Sequence, residues 1–190
     1  KSQETLIPMS NIWRSVVTVS AKKFYSVLLV GFMASGKSTV GRELASLLGW
    51  KFSDMDCAIE ERCGVSIDIL FNSKGEDHFR RRESEVALEL LSLRGTVLAS
   101  GGGWALNDQN WRAVPEETLT VWIKVTPEVA FQRALGGGSS RPLFDQADSV
   151  KDFSLLLESR RDWYARAEHS VDSELGSPQE IAENILRFLD

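Results

Sequence analysis

The segment Gly31-Phe32-Met33-Ala34-Ser35-Gly36-Lys37-Ser38 joins a short apolar run, Val27-Leu28-Leu29-Val30, to a stretch of helical periodicity opening at Lys37. A G-x-x-x-x-G-K-[ST] segment in that setting admits few folds, because the chain must leave a buried strand, curl, and enter a helix whose N-terminus faces the curl. Glycines permit the curl, several N–H groups then converge on one point, and the positive end of the helix adds to their field. The product is a cradle for an anion, and its basic and hydroxyl side chains suit a nucleotide polyphosphate. Lys37 reaches the β- and γ-phosphates as a point charge, Ser38 offers its hydroxyl to Mg²⁺, and Thr39 supports the turn. Gly31, Ala34, Ser35, Gly36, Lys37, Ser38 and Thr39 are therefore candidate ATP-binding residues, with Lys37 also catalytic and Ser38 a metal ligand. An ordinary glycine-rich strand-to-helix turn is the bland alternative, and eight matched positions in the right context weigh against it.

From Ser26 onward short apolar runs alternate with helical periodicity, the signature of βαβ units and a mostly parallel sheet. Strands are expected at 26–31, 51–54, 96–100, 119–125 and 169–172, and helices at 37–48, 58–63, 76–93, 107–113, 127–135, 150–167 and 178–189. The run Gly136-Gly137-Gly138-Ser139-Ser140-Arg141-Pro142 breaks the pattern and reads as a mobile loop. Ligands of such sheets gather outside the carboxyl ends of the strands, so the loops after the first three strands are the ones to search.

At 190 residues the chain accommodates one domain, taken as 26–190, with 1–25 an N-terminal extension or linker in which Val16-Val17-Thr18-Val19 could add a strand. A net charge of −5 makes the surface as a whole repel nucleic acid and acidic lipid. No apolar run approaches the roughly 20 residues of a membrane helix. Cys57 and Cys63 fall in one helical stretch, a poor disulfide framework that suits a reducing compartment. The expected location is the cytoplasm, or an organellar stroma if the N-terminus is a processed leader. His78 and His169 join no metal-ligand pattern.

Two further segments carry charge toward the cradle. Asp54 and Asp56 close the second strand, and at i and i+2 in extended geometry they point to the same side. One carboxylate can order the metal's waters while the other accepts a hydrogen bond from an attacking hydroxyl; a plain helix N-cap is the competing explanation. Gly75-Glu76-Asp77-His78-Phe79-Arg80-Arg81-Arg82-Glu83 opens a long helix on which one arginine is expected to point inward as a carboxylate fork, the others being solvated or paired with Glu83 and Glu85. Gly101-Gly102-Gly103 follows the third strand, where bare backbone can lie against a ligand.

Taken in order, these motifs resemble the shikimate kinase family over about residue 26 to the C-terminus: the phosphate loop at Gly31–Thr39, Asp-x-Asp at Asp54 and Asp56, Gly-Glu-x-x-Phe-Arg at Gly75–Arg80, and Gly-Gly-Gly at Gly101–Gly103. The resemblance implies a three-layer α/β sandwich of the nucleoside monophosphate kinase type, with a five-stranded parallel sheet and a lid. It also implies transfer of the ATP γ-phosphate to shikimate by a monomer. Carried over by residue, Asp56 would bind the ring hydroxyls, Arg80 and Arg160 the carboxylate, and Gly102 would donate its amide beside Gly101 and Gly103. Asp54 would sit near magnesium and the reacting hydroxyl, Arg133 beside the adenine, and Arg141 of Arg141-Pro142-Leu143 would close over the transferred phosphate. The late Arg-x-x-x-Tyr pattern reads Arg160-Arg161-Asp162-Trp163-Tyr164, with Asp-Trp where Pro-Leu is usual, which leaves Arg161 as the alternative to Arg160.

The third strand ends without the aspartate that P-loop motors and GTPases carry there, which counts against those classes. A kinase of another polyol acid, such as gluconate, and a kinase-like ligand sensor are the competing readings; retention of Lys37, Asp54, Asp56, Arg80 and Arg141 favours catalysis. Trp104, Trp111, Trp122 and Trp163 are read as core packing, with Trp104 a lesser candidate for the acceptor pocket.

Overall fold

A computed structural model describes residues 23–136 and 149–189. Its centre is β1 (Ser26–Val30), buried along its whole length. β1 pairs with β3 (Thr96–Ala99) on one side and with β4 (Thr118–Lys124) on the other. β2 (Lys51–Asp54) and β5 (His169–Asp172) complete a five-stranded parallel sheet in the order β2-β3-β1-β4-β5. Alternation along β1 sends Val27 and Leu29 to one face and Leu28 and Val30 to the other, so a short apolar run feeds two cores at once.

The first core packs Val27 and Leu29 against Val40 and Leu44 of α1 (Lys37–Leu48) and Ile181 and Ile185 of α8 (Pro178–Leu186). The second packs Leu28 and Val30 against α4 (Glu76–Leu91), a 3₁₀ turn at Trp104–Leu106, α6 (Pro127–Gly136) and α7 (Val150–Tyr164), with Trp104, Tyr164, Phe32 and Phe153 as its largest buried side chains. α5 (Asp108–Arg112) follows the 3₁₀ turn. This is the expected three-layer α/β sandwich. Truncating any of these large apolar side chains to alanine should cost about 2–5 kcal/mol. Trp104 belongs wholly to the core, at 0% exposure, so it does not line an acceptor pocket.

Two differences from the sequence reading matter for the site. α2 runs Met55–Cys63, starting directly where β2 ends, so Asp56 is helical and the extended i, i+2 argument does not hold. α3 (Ile67–Lys74) was not expected; its Ser66 cap is visible in the sequence, but only Leu70 of its eight residues is buried, too little for a period to register. α2, α3 and α4 share a small core of Ile59, Leu70, Phe79 and Val86, which carries the acceptor-side residues as a unit. Among the described residues no helix is long and apolar enough to cross a membrane. Gly136, the first residue of the expected loop, still belongs to α6; Arg141 with the rest of 137–148, and Val16–Val19, lie outside the described residues.

Candidate active site

β2 and β3 lie to one side of β1 and β4 and β5 to the other, so the crevice of the sheet opens at the carboxyl end of β1. The phosphate loop occupies that point. Gly31 has φ 146°, and a Cβ there would lie 2.5 Å from the carbonyl oxygen of Ile123, so no larger residue fits between the loop and β4. Ala34 (φ 56°) and Gly36 (φ 96°) take left-handed backbone, which for alanine costs about 1–2 kcal/mol and builds an anion-binding concavity. Gly36 caps α1 without a side chain, which leaves the helix's first N–H groups for a ligand. Lys37 is buried, and its Nζ donates to the carbonyls of Gly31 (2.9 Å) and Phe32 (2.7 Å) and to Ser35 Oγ (3.5 Å), holding the loop closed around its own charge.

Asp54 is the N-cap of α2 and at the same time reaches the phosphate loop. Its Oδ1 accepts from the N–H groups of Asp56 (3.0 Å) and Cys57 (3.5 Å) as the N-cap of α2, and its Oδ2 accepts from the Ser38 hydroxyl at 2.5 Å. An alcohol and a carboxylate oxygen in contact are hard donors, the kind a partly hydrated Mg²⁺ takes beside phosphate oxygens. Ser38, Asp54, Asp56 and the phosphate loop line one cavity of about 500 Å³. Arg133 of α6 reaches it over the loop, donating to Ser35 O (3.4 Å), Ser173 Oγ (3.0 Å) and Ser173 O (3.2 Å). Thr39 is exposed at the cavity edge.

The triple glycine joins this cavity to the acceptor-side charges. A Cβ on Gly101 would lie 2.7 Å from Glu83 Oε1 and 2.8 Å from Asp56 Oδ1, and one on Gly103 would lie 2.5 Å from Arg80 Nη1. Gly102 faces the backbone of Met33 in the phosphate loop, where a Cβ would approach within 3.4 Å. Of the three consecutive arginines, Arg80 is the inward one: it donates to Glu83 at 2.8 Å and to Glu76 at 3.2 Å, while Arg81 and Arg82 are exposed. Glu83 is 2% exposed, so it is the inner partner of Arg80 rather than a solvated counter-charge. Burial, reinforced by the Asp56 carboxylate, pushes the Glu83 carboxyl up against the pull of Arg80.

α7 approaches the triple glycine through Tyr164 and carries the other predicted arginine. Arg160 is buried with a guanidinium nitrogen, Nη1, that meets no hydrogen-bond partner, whereas Arg161 is exposed and bound to Glu158 at 2.9 Å. A buried donor without an acceptor is costly, and a ligand carboxylate would satisfy it. Tyr164, one turn on, accepts from Arg160 and donates to Gly102 O at 2.6 Å, and its own burial pushes its pKa up to about 12. Glu83 and Tyr164 were not picked out as site residues, though each stands one turn beyond a predicted arginine, at i+3 and i+4, the spacing that shares a helix face.

The family model for shikimate kinase matches residues 33–190. The chain is 39% identical over 164 residues to a shikimate kinase of Moorella thermoacetica, covering 86% of this chain and 94% of that protein. It is 42% identical over 162 residues to one of Microcystis aeruginosa, covering 85% of this chain and 84% of that protein. A solved shikimate kinase from Acinetobacter baumannii in complex with shikimate superposes with a TM-score of 0.80 at 32% identity, covering 88% of this chain and 94% of that one.

Proposed function

Because the chain belongs to the shikimate kinase family and is an ATP-dependent kinase of shikimate on the route to the aromatic amino acids, we propose how its own residues divide the reaction. The observation that carries this division is the triple glycine, which touches the phosphate loop through Gly102, Asp56 through Gly101 and Arg80 through Gly103. One ribbon of backbone thus borders both the phosphate loop and the acceptor-side charges, the juxtaposition that in-line transfer between two bound ligands needs.

On this reading Arg80 and Arg160 grip the acceptor's carboxylate from α4 and α7, and Asp56 accepts the proton of the 3-hydroxyl. The hydroxyl oxygen bonds to the γ-phosphorus as its bond to the β–γ bridging oxygen breaks, and ADP leaves with that electron pair. Lys37 turns from the loop carbonyls to the phosphates, and the Gly102 N–H faces the transferred group. Ser38 and Asp54 would hold Mg²⁺, which when bound offsets the charge spreading over the phosphate oxygens. Arg133 borders the adenine end. The family resemblance assigns Arg141 to the transferred phosphate, where its charge would favour transfer. The domain is residues 26–190, working as a monomer in the cytoplasm, where the free thiols of Cys57 and Cys63 stay reduced.

Coupled ADP release with shikimate, gluconate and buffer alone as acceptors tests this. Turnover is expected with shikimate only, and Asp56→Asn should abolish it while retaining ADP binding. Equal turnover on gluconate, or an active Asp56→Asn, would overturn the assignment.

A further inference from the structure

Three exposed arginines pair along their own helices: Arg82 with Glu85, Arg112 with Asp108 and Arg161 with Glu158. Arg166 reaches across instead. It stands two residues past the end of α7, with its guanidinium 5.2 Å from the ring centre of Trp111 in α5 and 5.5 Å from that of Trp163 in α7. Its Nη1 also donates to Asp108 of α5, at 2.9 Å. A planar guanidinium suits such a place, since it can lie over aromatic faces and still bond a carboxylate. The end of α7 is thereby fastened to α5.

What is fastened belongs to the site. Arg160 and Tyr164 lie in the last five residues of α7, and a helix end frays unless something holds it. α1 and α2 close on left-handed glycines, Gly49 and Gly64, whereas α7 ends on Ala165 in right-handed backbone and lacks that cap. On its inner side Tyr164 donates to Gly102 O. Trp111 meets the same ribbon from the other direction: its ring centre lies 5.7 Å from that of Trp104, the residue after the triple glycine, and its Nε1 donates to Ala105 O at 2.7 Å. Arg166 therefore closes a circuit that runs from the triple glycine through the two tryptophans Trp104 and Trp111 to the end of α7, and back through Tyr164 to Gly102.

We propose that Arg166 is a positioning residue for the acceptor's carboxylate, acting through Arg160, an assignment that rests on the reading of Arg160 above. It works from outside the crevice, by holding the last turn of α7 in the rotation that turns Arg160 inward and sets Tyr164 on Gly102. The Pro-Leu usual before that tyrosine would offer the guanidinium no aromatic face; in this chain Trp163 provides one.

Steady-state kinetics with shikimate and ATP on wild type, Arg166→Ala, Arg160→Ala, the double variant and Arg112→Ala, each with a melting curve, test this. Arg166→Ala should raise the shikimate KM about three- to fivefold, with kcat and the ATP KM within about twofold of wild type. In the Arg160→Ala background the same change should add less than about twofold to the loss in kcat/KM, because the group it orients is gone. Arg112→Ala, which removes only the other partner of Asp108, should match wild type. An unchanged shikimate KM in Arg166→Ala overturns the proposal, as do equal factors in the two backgrounds or an equal shift in Arg112→Ala. So do KM values for both substrates that rise together with a Tm lowered by more than about 5 °C, which would make the stack a packing feature of the whole domain. If Arg160→Ala itself leaves the shikimate kinetics intact, the reading of Arg160 fails first and this one with it.

Discussion

The two halves of the site hold their charges in opposite ways. On the donor side the charge-bearing group, Lys37, is bound to carbonyls of its own loop, and the anion cradle is backbone geometry fixed by Gly31, Ala34 and Gly36. On the acceptor side the work falls to side chains from three helices, and one of them, Arg160, keeps a buried nitrogen unpaired. The backbone cradle of the donor half is preformed, while on the proposed acceptor side Arg160 would gain its missing partner from a bound carboxylate. A polyphosphate brings charge enough to bind many preformed nests. A small hydroxy acid must be recognised by a few directional contacts, and an unsatisfied fork rewards the right one.

The largest effect should come from the donor half. Lys37→Ala should lower kcat about 10³-fold, since a cation facing the charge that develops on the γ-phosphate is among the largest single contributions to such a transfer. Coupled turnover at saturating shikimate measures it. A loss expressed only in the ATP KM would mean that Lys37 serves binding equally in ground and transition states, and the contrast would need redrawing.

On the acceptor side, Arg160→Ala should lower kcat/KM for shikimate about 10²-fold with ADP affinity unchanged, and lysine should restore little because it lacks the planar fork. Arg161→Ala should stay within about twofold, as expected for an exposed ion pair on a helix surface. Steady-state kinetics on the pair decides which arginine faces the acceptor. A reversed result would mean that α7 is rotated about one residue from where the buried Phe153, Leu157 and Tyr164 place it.

The same contrast governs what can be read from the chain. The donor half is one contiguous segment whose residue types follow from local backbone needs, so Gly31 to Ser38 announced both its shape and its position in the sheet. β1, β3 and β4 did likewise, because each buries most of an apolar run, whereas β2 and β5 at the sheet edges are short and at most half-buried. The acceptor half is assembled from residues 56, 80, 83, 101–103, 160 and 164, which only the fold brings together. The glycines and one inward arginine of the three were read from the chain itself, while the choice of Arg80 and the whole of Arg160 came through family resemblance. Glu83 passed for a solvated counter-charge because nothing local distinguishes a buried glutamate from an exposed one on a charged helix. The placing of Asp54 and Asp56 on one side was right in outcome but wrong in cause. β2 ends at Asp54, and the helical turn beginning at Met55, rather than strand pleat, sets Asp56 in the cavity.

The smallest effect is the most discriminating. The Tyr164 hydroxyl is shared between Arg160 and Gly102 O, so it ties the arginine proposed to grip the acceptor to the triple-glycine ribbon. Tyr164→Phe keeps the ring in the core and removes only that tie. It should raise the shikimate KM about three- to tenfold, with the ATP KM and kcat little changed. Burial holds the phenol near pKa 12, so the wild-type hydroxyl stays protonated through neutral and moderately alkaline pH, and the ratio of variant to wild type should be flat across that range. If both KM values rise together with a fall in Tm, Tyr164 is a packing residue whose loss loosens the whole crevice. If shikimate alone responds, the acceptor half is positioned by a hydrogen bond reaching across the sheet's edge, something the self-contained phosphate loop does not need.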